Sequence, residues 1–252
     1  IMDYGVCNLS VVPVRIAASD TSEIVTQLLF GDHVEILEKG QPWIKIKFIL
    51  DDYEGWMDFK QLTYIKKEEY NLYRNNTGIY LKDSMISING PRGQQNIMLA
   101  STLPNLSQDS VTFGDEEYTL EKAPNQVKSD LIQTALGYLN TPYLWGGKSI
   151  FGIDCSGLIQ NVFKVHGKLV PRDASQQVHV GEHVSFEDRK IGDVPFFINS
   201  KGVVHHVGIL TEKNKIIHAA GCVRVDQFDE KGIFRPDLDK YTHVYHSIRR
   251  YS

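Results

Sequence analysis

Residues 152–167 read GIDCSGLIQNVFKVHG, and this stretch decides how the C-terminal half of the chain is interpreted. The residues leading into it, TPYLWGGKSIFGID, hold three glycines and a proline and are predicted to form a loop. Apolar residues then recur at the spacing of one helix face, namely Leu158, Ile159, Val162 and Phe163. The pattern therefore predicts a helix that begins at Cys155 and ends before Gly167.

A thiol at the first position of a helix lies in a special electrostatic setting. The unpaired backbone N–H groups and the helix dipole favour an anion, so the pKa of Cys155 is expected to fall below about 8.5. Its thiolate would then be populated near neutral pH and would be a good nucleophile. The alternative is a half-buried structural cysteine, and a nearby base would favour the catalytic role.

Residues 202–221 offer such a base. Their sequence, GVVHHVGILTEKNKIIHAAG, reads as a β-hairpin with His206 on the first strand and His218 on the second. A loop with an odd number of residues, such as 211–213, would place the two rings opposite one another on one face of the sheet. A four-residue loop without a bulge would place them on opposite faces. On a shared face, cysteine, histidine and a third polar group would form the arrangement that thiol hydrolases use.

The other histidines and cysteines are assigned no chemistry. His205 points to the other face of its strand, and His243 and His246 lack a convincing set of metal ligands, so surface or structural roles are expected. Cys7 and Cys222 have no activating context and are expected to be inert thiols. Three cysteines without a CxxC pair predict neither a disulfide framework nor a zinc ribbon. No metal or cofactor is expected.

The N-terminal half is predicted to be all β. Short β runs separated by turns at residues 12–65 predict a small barrel, and a fainter pattern at 68–120 predicts a second one. After the linker EKAPNQ the period changes, and a third domain of mixed α and β structure is expected. Its first helix should end before Pro142, with one face marked by Val127, Leu131, Ala135 and Leu139.

Composition limits the possible classes of protein. The 252 residues suffice for two or three small domains, and 42% hydrophobic with 23% charged residues is typical of a folded soluble protein. A net charge of −4 without blocks of like charge argues against nucleic-acid binding. No apolar run approaches the roughly 20 residues of a membrane span.

The C-terminal half contains six motifs whose order and spacing indicate a protein family: PYLWGG, GIDCSGLIQNVF, LVPRDASQQ, IGDVPFF, HHVGIL and IIHAAG. In order and spacing they resemble the NlpC-type cell-wall cysteine peptidases. The most similar branch is the γ-D-glutamyl-L-diamino acid endopeptidases of the dipeptidyl-peptidase VI type, because GWMDFKQLTY and LPNLSQDSVTFGDEEYTL resemble signatures of its paired bacterial SH3-like domains. The resemblance implies an α+β fold, with SH3-like barrels at 1–66 and 67–124 and a papain-like NlpC-type catalytic domain at 125–252.

The resemblance also implies a catalytic set. Cys155 corresponds to the nucleophile, His206 to the general base and His218 to the residue that orients this base. The base would take the thiol proton, the thiolate would attack an amide carbonyl, and the imidazolium would protonate the leaving amine. A neutral histidine in the third place stabilises the imidazolium less than a carboxylate would, and activity is expected to fall when His218 is protonated.

Five substrate-binding residues follow from the same resemblance: Tyr53, Trp145, Asp154, Ser156 and Asp173. Asp173 and Tyr53 would bind the free amine of an N-terminal L-alanine, the former through opposite charge. Trp145 would form a wall of the cleft. For Asp154 and Ser156, helix capping is the alternative role.

The chain departs from the family pattern at two positions. Ala174 stands where serine is usual, so a hydroxyl contact is lost and only a backbone contact would remain. Val25 stands where an acidic contact is expected, and Glu23, two residues earlier on the same strand face, is a candidate substitute.

The function implied is hydrolysis of the bond between γ-D-glutamate and the L-diamino acid of murein peptides with a free N-terminal L-alanine, as in cell-wall peptide recycling. The protein is expected to act as a monomer on these peptides, in the cell envelope or periplasm rather than the cytoplasm. Whether the third residue is diaminopimelate or lysine stays open. Two alternatives remain: an amidase or acyltransferase that uses the same cysteine, and a non-catalytic protein that binds the cell wall.

Overall fold

A computed structural model describes residues 3–75, 78–125 and 130–251. The chain divides into two compact units, Ile1–Lys128 with Trp145–Ile150, and Ser129–Leu144 with Phe151–Ser252. The segment Trp145–Ile150 thus groups with the first unit, although its neighbours in sequence on both sides belong to the second. The domain limits expected at residues 66 and 124 stay a prediction.

Seven antiparallel strands form the N-terminal sheet of the first unit: β1 (Tyr4–Cys7), β2 (Val11–Arg15), β3 (Ile24–Leu29), β4 (His33–Glu38), β5 (Trp43–Phe48), β6 (Glu54–Asp58) and β7 (Leu62–Ile65). Their order is β3-β2-β6-β5-β4-β1-β7, and a 3-10 helix, Phe59–Gln61, precedes the last strand. Burial alternates along β2 and β5, so one face of each strand points into an aliphatic core. The small barrel predicted for residues 12–65 is present, and six of the seven strands, β2–β7, span Val11–Ile65.

A second sheet in this unit has four antiparallel strands: β8 (Met85–Gly90), β9 (Gly93–Met98), β10 (Ser110–Phe113) and β11 (Glu116–Leu120). Their order is β10-β11-β8-β9, and helix α1 (Lys67–Asn75) precedes them. Their buried side chains share one core with Val6 and Phe30 of the N-terminal region. A two-residue strand, β12 (Lys148–Ser149), lies in the segment that joins this unit from further along the chain. That β8–β11 form a second SH3-like barrel stays a prediction.

The second unit begins with helix α2 (Leu131–Leu136), which is shorter than predicted. Asp130 caps it, because its Oδ1 accepts a hydrogen bond from the Gln133 N–H at 2.7 Å. The helix ends at Gly137, so Leu139 lies beyond it and is 45% exposed, while Tyr138 is buried. The prediction of a continuing helix face is therefore wrong at Leu139, and Val127 lies outside the described residues.

Helix α3 (Cys155–Val165) confirms the helix predicted from Cys155, and all of its residues are buried. A one-turn helix, α4 (Ala174–Gln177), follows. No helix in the described parts of the chain is both long and apolar enough to cross a membrane.

The strands of the second unit are β13 (Gly152–Ile153), β14 (Glu182–Val184), β15 (Val194–Ile198), β16 (Val204–Glu212), β17 (Lys215–Ala220), β18 (Cys222–Asp229), β19 (Gly232–Arg235) and β20 (Lys240–Arg250). Seven of them form one antiparallel sheet in the order β14-β20-β15-β16-β17-β18-β19, and β19 also pairs with β20. The hairpin predicted around 202–221 is confirmed as β16 and β17. Helix α3 packs on these two strands.

Candidate active site

The start of α3 is fixed by Asp154. Its backbone is extended, and its Oδ1 accepts a hydrogen bond from the Gly157 N–H at 2.7 Å, which satisfies one free donor of the first turn. The Cys155 thiol then lies 4.0 Å from the backbone carbonyl oxygen of His205, and the Val207 N–H also hydrogen-bonds to the sulfur. The cysteine is therefore held beside the part of β16 that carries His206.

Burial, not the helix terminus, dominates the ionisation of Cys155. The residue is 6% exposed, and desolvation raises the pKa of its thiol to about 12, with the Asp154 charge acting in the same direction. The Arg172 charge and the hydrogen bonds from the backbone of Ser156 and Val207 lower this pKa, but by less. The prediction of a thiolate at neutral pH is wrong for this structure, in which the thiol is neutral.

A β-bulge puts His206 and His218 on the same face of the sheet. The strands pair Glu212 with Lys215 next to the turn, but Leu210 with Ile216, so Thr211 is an extra residue on β16. Beyond the bulge His218 pairs with Gly208, so His206 lies diagonally across from His218 on the same face of the sheet. The prediction for a shared face had placed the two rings directly opposite one another. Without the bulge, a two-residue turn would have put the two rings on opposite faces.

The two imidazoles are joined in a longer chain of hydrogen bonds. His206 Nε2 lies 2.8 Å from His218 Nδ1, and His218 Nε2 lies 2.9 Å from Asp226 Oδ2. Arg224, directly opposite His218 on β18, donates to both oxygens of Asp226 at 2.8 Å. Sequence reasoning missed Arg224 and Asp226; their alternate spacing in VRVDQF is a signal that they share a face, but it acquires meaning only once the register of β17 and β18 is known.

Both histidines are kept neutral by their surroundings. Burial lowers the pKa of His206 well below its ordinary value, and the neighbouring rings of His218, His243 and His205 lower it further. Burial also lowers the pKa of His218, although the hydrogen bond and charge of Asp226 raise it in part. A buried neutral imidazole has a free lone pair at one nitrogen, which is what a general base requires.

His243 packs against this site, which is a structural role of the kind predicted for it. It lies on β20, and its ring stacks on His206 with centroids 4.0 Å apart and planes at 24°. Its Nδ1 is 2.9 Å from Thr242 Oγ1, and burial lowers its pKa to about 4. Its sequence position gave no hint, because the pairing of β20 with β15 and β19 is a long-range contact.

Three histidines are close enough to raise the question of a metal ion. His206, His218 and His243 each bring one ring nitrogen within 4.8 Å of the other two. However, the nitrogens of His206 and His218 are 2.8 Å apart, whereas two ligands of one tetrahedral zinc ion would be about 3.3 Å apart. The His243 ring is also stacked on the His206 ring with their planes at 24°, so the in-plane lone pairs of the two rings lie in nearly parallel planes. The geometry fits a hydrogen-bonded pair better than a metal centre.

Asp154 and Ser156 are engaged within the protein. The buried Arg172 donates from Nη1 and Nη2 to the two oxygens of Asp154 at 3.0 and 2.6 Å, and from Nη1 to Ser156 Oγ at 2.9 Å. Capping and ion pairing therefore occupy both side chains, and their contact with substrate stays a prediction. Arg172 was missed by the sequence reasoning, although a buried carboxylate such as Asp154 calls for a cationic partner.

Asp173 follows Arg172 and is the N-cap residue of α4. It is half-buried, and its backbone N–H donates to Gln176 Oε1 at 3.3 Å. Ala174, the residue at the position where serine is usual, is buried as the first residue of this helix. Asp173 therefore lies in the same unit as Cys155, one residue beyond the arginine that holds the start of α3.

The other two predicted substrate residues lie in the first unit. Trp145 is 61% exposed, and its Nε1 donates to Glu23 Oε1 at 2.6 Å. Tyr53 is half-buried in the turn before β6, and its N–H donates to Asp51 Oδ1 at 3.0 Å. Glu23 is exposed and lies directly before β3, whereas Val25 packs against the barrel core.

Comparisons with known proteins match both parts of the chain. The profile of the NlpC/P60 family matches residues 140–240, a range that includes Cys155, His206 and His218. The profile of the bacterial dipeptidyl-peptidase SH3 domain matches residues 14–62.

Two curated relatives cover most of the chain. A gamma-D-glutamyl-L-lysine dipeptidyl-peptidase of Bacillus subtilis is 31% identical, with 81% of this chain and 75% of the relative covered. A protein of the same name from Bacillus cereus is 28% identical, with 92% and 77% covered. The crystal structure of an NlpC/P60 family protein from Bacillus cereus has a TM-score of 0.79 at 22% identity and covers 98% of this chain and 99% of that chain. These matches show the NlpC/P60 fold with an SH3-like domain.

Proposed function

Because the chain belongs to the NlpC/P60 family and is a cysteine-type hydrolase, we propose that it cleaves the bond between γ-D-glutamate and an L-diamino acid in murein-derived peptides. The peptides carry a free N-terminal L-alanine. The names of the two relatives, both gamma-D-glutamyl-L-lysine dipeptidyl-peptidases, support this bond and favour L-lysine as the diamino acid.

The observation that carries the proposal is the position of Cys155 against the backbone of His205 and Val207, the two neighbours of His206, whose buried ring is hydrogen-bonded to His218. In the proposed roles Cys155 is the nucleophile, His206 the general base and His218 the residue that orients the base. A binding protein would have no use for a buried thiol placed beside two neutral imidazoles, whereas thiol hydrolysis needs all three groups.

Proton transfer accompanies nucleophilic attack in the proposed mechanism, since thiol and imidazole both start neutral. His206 takes the thiol proton as the sulfur bonds to the γ-carbonyl carbon, and the carbonyl becomes an oxyanion near the N–H groups at the start of α3. The imidazolium then gives its proton to the departing amine. Water hydrolyses the thioester, with His206 accepting a proton from the water and the thiol being restored.

Substrate selection is proposed to rest on the free amine. Asp173 would pair with the alanine ammonium. Tyr53 is a proposed substrate-binding residue of the first unit, with Glu23 as a candidate acidic contact. Trp145 would line the cleft. Direct contact of Asp154 or Ser156 with substrate would compete with Arg172, which binds both side chains.

We also propose that residues 67–124 form a second SH3-like barrel and that the protein acts as a monomer outside the cytoplasm. The four-stranded sheet β8–β11 supports the second barrel, and the relation to cell-wall peptidases supports action outside the cytoplasm.

The decisive test is to incubate the protein with L-Ala-γ-D-Glu-L-Lys and with its N-acetylated form, and to follow products by mass spectrometry. We expect cleavage of only the free peptide, between glutamate and lysine. Cys155→Ala should lose at least about 10³-fold in rate, whereas the matched variant Cys222→Ala should retain it. Equal cleavage of both peptides would contradict selection by the free amine. Cleavage of neither, with turnover of an amide or ester donor instead, would point to the amidase or acyltransferase alternative.

A further inference from the structure

Asp226 is a buried carboxylate at the end of the hydrogen-bond chain that starts at His206. It is 4% exposed and lies on β18, where His218 pairs with Arg224 and therefore has Asp226 as its diagonal neighbour. Its Oδ2 accepts from His218 Nε2 at 2.9 Å, and Arg224 donates to both carboxylate oxygens. The pairing holds the carboxylate in one orientation against the histidine ring.

Asp226 stays ionised in this setting. Burial alone would raise its pKa, but the hydrogen bonds and charges of His218 and Arg224 outweigh burial and lower the pKa below its ordinary value. An ionised carboxylate has only acceptors, so the hydrogen between Asp226 and His218 must reside on His218 Nε2.

The position of that hydrogen determines every other hydrogen in the chain. A neutral imidazole carries one N–H, so His218 with its hydrogen on Nε2 presents a lone pair at Nδ1. The bond of 2.8 Å to His206 then requires that His206 Nε2 donates. His206 is left with a lone pair at Nδ1, which is the state that can accept a thiol proton.

We propose that Asp226 is a positioning residue that sets the direction of hydrogen bonding through His218, so that His206 meets the Cys155 thiol with an unprotonated Nδ1. The inference rests on the proposed function in one respect, namely that His206 is the general base. In the reverse direction His218 Nδ1 would donate to His206 Nε2, and His206 would carry its hydrogen on Nδ1 and fail as a base.

Asp226 also supplies the negative charge that a pair of histidines lacks. When His206 takes the thiol proton it becomes a cation, and a neutral His218 stabilises that cation only weakly. The Asp226 carboxylate, one ring further along the chain, stabilises it through His218 without leaving an unpaired buried charge, because Arg224 remains bound to it.

The 15N NMR spectrum of the histidine rings of the intact protein at pH 7.5 tests the tautomers without any substrate, because N–H and lone-pair nitrogens have distinct shifts. We expect hydrogen on Nε2 of both His206 and His218. Hydrogen on Nδ1 of either ring would overturn the proposal. This readout holds even if the peptide proves not to be the substrate, so it separates the proposal from the proposed function.

Asp226→Asn is the matching variant, and Asp193→Asn is its control. Asp193 is 1% exposed and is likewise bound by Nε and Nη2 of one arginine, Arg250, at 2.7 and 2.8 Å, but no histidine hydrogen bond to it occurs among the described residues. Both variants lose one charge of a buried ion pair and should lose stability alike. Only Asp226→Asn should mix the tautomers of His218 and His206.

The pH profile of kcat/KM on L-Ala-γ-D-Glu-L-Lys adds a kinetic readout. Asp226→Asn should lower kcat/KM at least about tenfold, with little change for Asp193→Asn. The substitution should also move the acid limb of the pH profile to lower pH, because His218 loses the carboxylate that raises its pKa. The remaining neighbours all lower the pKa of one of the two histidines: Arg224 and Arg235 act on His218, and His205 and His243 act on His206. The proposal would be overturned if Asp226→Asn kept the wild-type tautomers and a kcat/KM within twofold of the wild-type value. It would also be overturned if Asp193→Asn lost as much kcat/KM as Asp226→Asn. If Asp226→Asn fails to fold, the tautomers of the unmodified protein decide.

Discussion

At the scale of single residues, burial controls which groups in the site carry charge. His243 illustrates this, because it stacks on His206 and its pKa falls to about 4. In the unfolded chain a histidine titrates near pH 6.5. Between these two values the unfolded state binds a proton that the folded state does not, so the free energy of unfolding decreases as the pH falls from 6.5 toward 4.

His243→Phe should reduce this pH dependence. The phenyl ring keeps the stack on His206 but cannot be protonated, so the variant should retain about 2 to 3 kcal/mol that the parent protein loses between pH 6.5 and 4. Chemical denaturation of both proteins at several pH values measures the difference. His246→Phe, an exposed histidine of the same strand, is the control and should follow the parent protein. Parallel pH curves for the parent and His243→Phe would refute the assignment.

At the scale of secondary-structure elements, the bulge in β16 determines which way the histidines face. Thr211 is the additional residue, and the pairing on both sides of it is regular. A one-residue change of register turns every side chain of a strand to the other face. The even separation of His206 and His218 therefore brings the rings together only because the bulge is present.

Deleting Thr211 should leave the site intact. Glu212 would still pair with Lys215 and Leu210 with Ile216, so the register beyond the bulge is unchanged and peptidase activity should persist. Deleting Gly208 instead removes no side chain but shifts His206 to the other face, and activity should be lost. Rates on the tripeptide and circular dichroism spectra of the two deletions make the comparison. Loss of activity in a folded protein lacking Thr211 would contradict the register.

At the scale of the whole molecule, the segment Trp145–Ile150 leaves the sequence neighbourhood of the catalytic residues to pack in the first unit. Lys148 is fully buried there, and its N–H donates to Gln27 Oε1 at 2.8 Å. Gly146 permits the approach, because it has φ +75° and a Cβ at this position would lie 2.3 Å from the Ile24 carbonyl oxygen. The first unit is therefore completed by residues distant in sequence.

Gly146→Ala should be far more damaging than Gly167→Ala. The two glycines have nearly the same φ, +75° and +74°, but a Cβ on Gly167 meets nothing within 4 Å. Gly167→Ala should cost only the left-handed strain of about 1 kcal/mol, whereas Gly146→Ala adds a backbone clash and should cost at least about 3 kcal/mol. Thermal denaturation and hydrogen exchange at Lys148 measure both effects. Similar midpoints and equal protection of Lys148 would contradict the packing of this segment.

Local patterns in the sequence were sufficient for the elements and for part of the site. The periodic apolar residues after Cys155 predicted α3, the hairpin was readable from its alternating strands, and the motifs around Cys155, His206 and His218 indicated the family. These features depend on neighbours a few residues apart, so they can be read without a fold. The limits of α2 were less accessible, because Gly137 ends the helix before the apolar pattern does.

Long-range strand pairing determines the other residues of the site. Asp226, Arg224 and His243 enter the site only through the register of β18 and the position of β20, which no local pattern contains. The neutral state of Cys155 has the same origin: its position at a helix start is visible in the sequence and favours a thiolate, but desolvation by the surrounding residues outweighs that effect. Short motifs therefore identify the reactive groups. The charge of these groups, the positions of their hydrogens and their partners depend on burial, which exists only in the folded chain.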